Sequence, residues 1–277
     1  MGGMTVDRRT LIRGAVAGAL AGGLGLAGPA RAFRKRTIFV AGDSTAATYA
    51  TSDVPQAGWG QALPAFLRPD VAVVNGAWSG ASSKSFADLG HLDRILDAIA
   101  PGDTLLVSFG HNDEKSEDPT RYTEPWTTFQ HYLRLYLDGA RAAHAQPVLV
   151  TPVERRRFTA DGTPYLSHGD YPASMRALAA DTRTPLIDLT ALSFGLWSEL
   201  GPVKTKDYFL WLDPGEWPNF PDGDQDNTHF QPHGAIELAR VVVRAGRTIP
   251  GRDECALHDA SIPDDVLTWP PVRPAGS

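Results

Sequence analysis

Four short blocks of this chain hold the side chains that acyl transfer through a serine hydroxyl would need. The first is Gly42-Asp43-Ser44, which closes the apolar run from Thr37 to Ala41. A serine hydroxyl is a weak nucleophile, so it needs a base within hydrogen-bond reach and a carboxylate that holds the base in one tautomer. Asp226-Asn227-Thr228-His229 offers both, and its spacing lets one loop carry the carboxylate and the imidazole together. The tetrahedral intermediate also carries a negative oxygen, and each preorganised donor aimed at it is worth roughly 2.7 to 4 kcal/mol in comparable sites. Candidate donors are the Ser44 N–H, the Gly80 N–H and the Asn112 side-chain amide, the last two within Ser79-Gly80-Ala81 and Gly110-His111-Asn112-Asp113. Gly80 has no Cβ and so permits close backbone approach, and a carboxamide donates without carrying charge. Each block alone is an ordinary turn or cap; their order along one chain is what points to acyl transfer.

The elements that must position these residues are legible as short apolar runs: Thr37 to Ala41, Val71 to Val74, Thr104 to Phe109, Pro147 to Thr151 and Pro185 to Leu189. They lack polar alternation and are separated by helical patterns, the clearest being Trp126 to Ala145, where Phe129, Leu133, Tyr136, Leu137 and Ala140 recur at helical spacing. Such runs predict a parallel sheet covered on both faces, a three-layer α/β/α sandwich with mainly five strands. A last helix is expected from Pro232, a residue suited to a first turn, with Ile236, Ala239 and Val243 facing inward. This arrangement sets Ser44, Gly80 and Asn112 at the carboxyl ends of the first three strands, where open α/β sheets bind ligands. His229 is expected on the loop before the last helix.

The first 32 residues read as a signal rather than as part of the fold. Asp7-Arg8-Arg9-Thr10-Leu11-Ile12 is a twin-arginine pattern, Gly14 to Ala27 is small and apolar, and Ala30-Arg31-Ala32 fits a cleavage site. The apolar stretch is too short and too rich in Gly and Ala for a permanent membrane span of ~20 residues. Export, to a periplasm or beyond the cell, is the expectation. Cleavage would leave residues 33–250 as one domain of ordinary α/β size, followed by an irregular extension, 251–277, with Pro263, Pro270, Pro271 and Pro274. The net charge of −6 becomes more negative on cleavage, since four arginines leave with one aspartate, and nucleic acid is an unsuitable partner. Cys255 is the only cysteine, so no intramolecular disulfide forms.

The ordered blocks resemble those of the SGNH, or GDSL-like, hydrolases. The longer strings resemble the rhamnogalacturonan acetylesterases, carbohydrate esterase family twelve: Gly42-Asp43-Ser44-Thr45-Ala46, Gly110-His111-Asn112-Asp113, Val153-Glu154-Arg155-Arg156-Arg157-Phe158, and Leu212-Asp213-Pro214-Gly215-Glu216 running on to Asp226-Asn227-Thr228-His229-Phe230. The likeness covers about Thr37 to Gly246. It implies Ser44 as nucleophile, His229 as base, Asp226 as its partner, an oxyanion hole of Ser44, Gly80 and Asn112, no cofactor, and an acetylated polysaccharide or oligosaccharide as substrate. Ala81 departs from the arginine expected after the oxyanion glycine.

Beyond that core, Arg155, Arg156 and Arg157 follow the fourth run and begin a loop on the same rim. Guanidinium groups match carboxylates in paired hydrogen bonds, so these arginines either read a uronate or pair with neighbours such as Glu154 and Asp161 and pin the loop. Trp211 and Trp217 lie in a ring-rich stretch suited to sugar faces or to core packing. His111 is expected to buttress its loop and His233 to decorate the last helix; no third ligand is spaced to join His229 and His233 on a metal. Alternatives that remain open are an esterase for acetylated xylan, small sugars, lipids or thioesters, and a carbohydrate-binding protein without turnover. The sequence leaves the oligomeric state undetermined.

Overall fold

The computed structural model describes residues 35–249 and 262–272; the twin-arginine stretch, the expected cleavage site and Cys255 lie outside them. Five strands run parallel in one sheet: β1 (Arg36–Gly42), β2 (Val71–Asn75), β3 (Thr104–Ser108), β4 (Gln146–Val150) and β5 (Leu186–Ile187), in the order β2-β1-β3-β4-β5. The last strand is shorter than its apolar run, because Asp188 already caps the next helix by accepting the Ala191 N–H.

The helices are α1 (Trp59–Ala62), α2 (Ser83–Asp88), α3 (His91–Ala98), α4 (Gln130–Ala142), α5 (Tyr171–Thr182), α6 (Leu189–Lys204) and α7 (Pro232–Gly246). Successive strand residues point to opposite faces. Ile38, Val40, Leu106 and Val148 meet α1, α6 and α7 through Trp59, Trp197 and Ile236. Phe39, Ala41, Leu105 and Leu149 meet α2 to α5 through Phe86, Leu92, Leu133 and Met175. The result is a three-layer α/β/α sandwich. Each fully buried large aliphatic or aromatic side chain contributes roughly 1.5 to 3 kcal/mol of burial free energy.

Where the sequence predicts one helix from Trp126 to Ala145, the chain first makes a wide turn over Pro125–Phe129 and only then enters α4. Glu124 causes this start, since its carboxylate accepts the N–H groups of Trp126 and Thr127.

A second, antiparallel pair lies outside the main sheet: β6 (Phe209–Leu212) and β7 (Asp224–Phe230). The ring-rich stretch is therefore partly a strand, with Phe209, Leu210 and Leu212 buried. In the tail, Leu267 is buried, Trp269 Nε1 donates to the Gln56 carbonyl (2.8 Å), and the Pro270 carbonyl accepts the Thr51 N–H (3.0 Å). Among the described residues no helix is long and apolar enough to cross a membrane.

Candidate active site

Strand order reverses at β1: the chain goes to one side for β2 and to the other for β3, which opens a crevice at the carboxyl ends of β1 and β3. Ser44 sits at that point, in a turn made by its neighbour. The buried Asp43 carboxylate accepts the Thr45 N–H (2.9 Å) and hydroxyl (2.7 Å), and the Asp43 carbonyl accepts the Ala46 N–H (3.1 Å). Burial raises the Asp43 pKa above the usual aspartate value, against the opposing effect of these Thr45 donors. From the other side, the Tyr49 hydroxyl donates to the Ser44 carbonyl (2.8 Å). The turn is thus held at both ends, while the Ser44 hydroxyl faces His229.

His229 Nε2 lies 2.9 Å from Ser44 Oγ, and His229 Nδ1 lies 2.6 Å from Asp226 Oδ2. With Asp226 ionised, Nδ1 donates to the carboxylate and Nε2 is left to accept the Ser44 proton. Burial opposes ionisation of Asp226, but the hydrogen bond and charge of His229, with the N–H groups of Thr228 and His229, hold its pKa below the usual value. Those two N–H groups donate to Asp226 Oδ1 at 2.6 and 3.1 Å.

The segment that carries these groups is a strand rather than the loop expected from sequence, and a bulge explains how it works. Phe209 pairs with Phe230 and Trp211 with Gln225, so β6 advances two residues while β7 advances five. The surplus on β7 falls on 226–229. A regular strand would not turn residues three apart to one side, since side chains alternate; the bulge does.

The candidate oxyanion donors differ in what holds them. Neither the Ser44 N–H nor the Gly80 N–H has a hydrogen-bond partner among the described residues. Gly80 has φ +79°, and a Cβ there would meet nothing nearer than Arg121 Nη1 at 3.8 Å. The left-handed backbone thus favours glycine at this position on its own account. The Asn112 amide spends one N–H on the Ala81 carbonyl (2.9 Å), which orients the carboxamide and leaves the second N–H available.

Next to Asn112 in the chain is a group of buried and half-buried ionisable side chains that sequence reasoning did not assemble. Asp113 is 0% exposed and accepts the Ser83 N–H, the Ser83 hydroxyl and the Thr123 hydroxyl. Burial pushes its carboxyl up to about 7 despite these donors. Arg155 pairs with Glu114, contacts His168 Nδ1 (3.3 Å) and donates to the His111 carbonyl (3.4 Å). His168 Nε2 donates to the Val153 carbonyl (2.9 Å), and the His111 ring packs edge-on against His168 at 4.4 Å. Burial drives the His111 imidazole well below its usual pKa, so it stays neutral.

The three arginines therefore separate. Arg155 is committed to Glu114, and Arg156 to the Asn227 carboxamide (3.0 Å) and the Pro202 carbonyl, with its guanidinium over Trp211 at 4.4 Å. Only Arg157 is exposed, with no side-chain partner among the described residues. Neither Glu154 nor Asp161 serves as their partner: Glu154 accepts from Ser167, and Asp161 from Thr159 and Thr163. Trp211 donates to Asn227 Oδ1 (3.1 Å) and also lies under Lys206 at 4.2 Å, so its ring faces cations. Trp217 is part-buried, with its indole nitrogen shielded and without a hydrogen-bond partner among the described residues. His233 stacks edge-on to Tyr208 and lies 3.6 Å from Asp264.

A hydroxyl, an imidazole and a carboxylate linked by hydrogen bonds at a switch point, with unspent N–H groups at Ser44 and Gly80, constitute the arrangement of a serine hydrolase. The family model for the GDSL-like lipases and acylhydrolases matches residues 40–235, and the chain belongs to that family. It is 45% identical over 205 residues to the rhamnogalacturonan acetylesterase RhgT of Bacillus subtilis, covering 74% of this chain and 87% of that one. A crystal structure of the Bacillus subtilis protein YxiM superposes with a TM-score of 0.67 at 32% identity, over 79% of this chain and 58% of that one. A catalytic mutant of the Geobacillus stearothermophilus acetylxylan esterase Axe2 shares the fold, with a TM-score of 0.54 at 14% identity over 76% of this chain and 93% of that one. The chain is an esterase of this family.

Proposed function

We propose that the chain removes acetyl groups from a carbohydrate, with acetylated rhamnogalacturonan or its oligosaccharides as substrate, after export through the twin-arginine route. The observation that carries the chemistry is the continuous relay from Asp226 through His229 to Ser44, at 2.6 and 2.9 Å. The substrate class rests on the 45% identity to RhgT.

Ser44 Oγ attacks the acetyl carbonyl carbon while His229 Nε2 takes its proton. Asp226 stabilises the imidazolium that forms, and the negative oxygen is met by the Ser44 and Gly80 N–H groups and the free N–H of Asn112. Collapse breaks the bond to the sugar oxygen, which receives the proton from His229. Water then repeats the sequence on the acetyl-serine, and acetate leaves with Ser44 restored. The buried Asp113, by holding Ser83, keeps the Gly80 loop and the Asn112 loop in one register.

Acetate release across acetylated pectic, xylan and small-sugar substrates tests the reading. Preference for the pectic substrate is the expected result, and equal rates on all three would reduce the assignment to a general acetylesterase. Replacing Arg8 and Arg9 together by Lys is expected to leave precursor in the cytoplasm, and normal export of that variant would reject the twin-arginine route.

A further inference from the structure

Two residues before Gly80, Trp78 stands 55% exposed, an unusual position for so large a ring. Its backbone is fixed, because its N–H donates to the Gly42 carbonyl at 2.9 Å, on the strand end that leads to Ser44. Its ring is also fixed on one side. His91, the first residue of α3, lies 4.7 Å away with the planes tilted by 32°, and behind His91 comes the fully buried Phe86 at 5.1 Å. A ladder of three rings thus runs from the core to the surface, with Trp78 as its last step.

Beside this ring opens a cavity of about 480 Å³ next to β2, the edge strand of the sheet among the described residues. Its lining includes Trp78, His91 and Arg94, Val74 of β2, and Pro270 and Pro271 of the tail. Volumes of this order enclose small ligands. Arg94 is exposed, donates to His91 Nδ1 at 3.3 Å, and has no carboxylate partner among the described residues. Burial and the neighbouring Arg94 both lower the His91 pKa, which suits its role as a neutral acceptor that aims the guanidinium.

We propose that this groove is a sugar subsite for an acidic pyranose residue of the same polymer chain that presents its acetyl ester to Ser44. Trp78 supplies a flat apolar face whose orientation is already set, so little ordering entropy is lost on binding. Arg94 supplies a planar fork for the uronate carboxylate. Continuity argues that the subsite serves the reaction, because the loop bearing the Gly80 N–H begins at the same ring. The inference rests on the carbohydrate-esterase reading and deepens it, by locating where an acidic neighbour of the acetylated sugar is read.

The test uses Trp78→Ala, Arg94→Gln and Arg94→Lys with three acetylated substrates: a small neutral chromogenic acetate, a neutral oligosaccharide and a uronate-bearing oligosaccharide. On the uronate-bearing substrate, Trp78→Ala and Arg94→Gln are each expected to raise KM about tenfold with kcat unchanged, the size of one charge-assisted hydrogen bond or one good ring contact. On the neutral oligosaccharide only Trp78→Ala should raise KM, and on the chromogenic acetate neither should act. Arg94→Lys should recover part of the loss, and added salt should shrink the Arg94 effect. Unchanged KM for the uronate-bearing substrate in both variants overturns the subsite, as do equal losses on the chromogenic acetate. Should the protein release acetate from no carbohydrate, calorimetric binding of the deacetylated uronate oligosaccharide to wild type and Arg94→Gln decides the subsite separately: weaker binding by the variant upholds it, and no binding to either rejects it.

Discussion

Asp113 accepts both the N–H and the hydroxyl of Ser83, thirty residues earlier in the chain. This one carboxylate fastens the loop after β2 to the loop after β3, and so sets Gly80 against Asn112.

Burial pushes the Asp113 carboxyl up to about 7 from an ordinary 3.8, which fixes the sign of a pH effect. The folded protein binds a proton that the unfolded chain releases between those values. The contribution of this group to stability is therefore greatest below the lower value, falls as pH rises through the window, and is level above about 7. Asp113→Asn is expected to remove that slope and to destabilise by about 1 to 3 kcal/mol, because its NH₂ would face donors. Denaturant unfolding of both proteins at pH 5, 6, 7 and 8 checks this: a stability difference between them that does not vary with pH would contradict it.

Ser44→Ala should lower esterase activity by at least about a thousandfold and leave stability within roughly 0.5 kcal/mol, since among the described residues the lost hydroxyl bonds only to His229. Asp226→Asn should lower kcat by about 10³ to 10⁴, because a carboxamide no longer stabilises the imidazolium or enforces the tautomer. Steady-state kinetics with thermal melts measures both, and residual activity within a few-fold of wild type would remove either residue from its role.

Asn112→Ala should lower kcat about 10²- to 10³-fold with little change in KM, since its free N–H meets charge present only in the transition state. A loss confined to KM would make Asn112 a substrate contact. Gly80→Ala has room for its methyl group but must keep φ +79°. It is expected to cost about 1 to 2 kcal/mol of stability through backbone strain, read from the denaturation midpoint.

The arginine run should divide by function. Arg155→Ala is expected to reduce kcat on every acetate, because Arg155 braces the His111 carbonyl next to Asn112. Arg156→Ala should do the same through Asn227, and Arg156→Lys should restore little, as an ammonium cannot bridge two acceptors in a fork. Arg157→Ala should spare neutral acetates and raise KM for a uronate-bearing oligosaccharide, more at low salt. Equal effects of all three substitutions on both substrates would make the run wholly structural.

Much of this was written in local sequence. The apolar runs through Ile38, Leu106 and Val148 announced a buried parallel sheet because strands covered on both faces need no polar alternation. The turn at Gly42-Asp43-Ser44 was legible from residue type, while the Asp43 hydrogen bonds to Thr45 that hold it came from the structure. Ser44, Gly80 and Asn112 could be set on one rim, since each follows a strand and parallel strands end together.

Tertiary structure decided what depends on partners distant in sequence. Ser44 and His229 are 185 residues apart, and the bulge that turns Asp226 and His229 to one side arises only when β7 pairs with β6. The same holds for Arg155 and Arg156. Next to each other in sequence and alike in chemistry, they acquire different roles because one meets Glu114 and the other Asn227. Periodicity and propensity act over a few residues, whereas the choice among equivalent hydrogen-bond partners is made by whichever groups the folded topology brings within about 3 Å of one another.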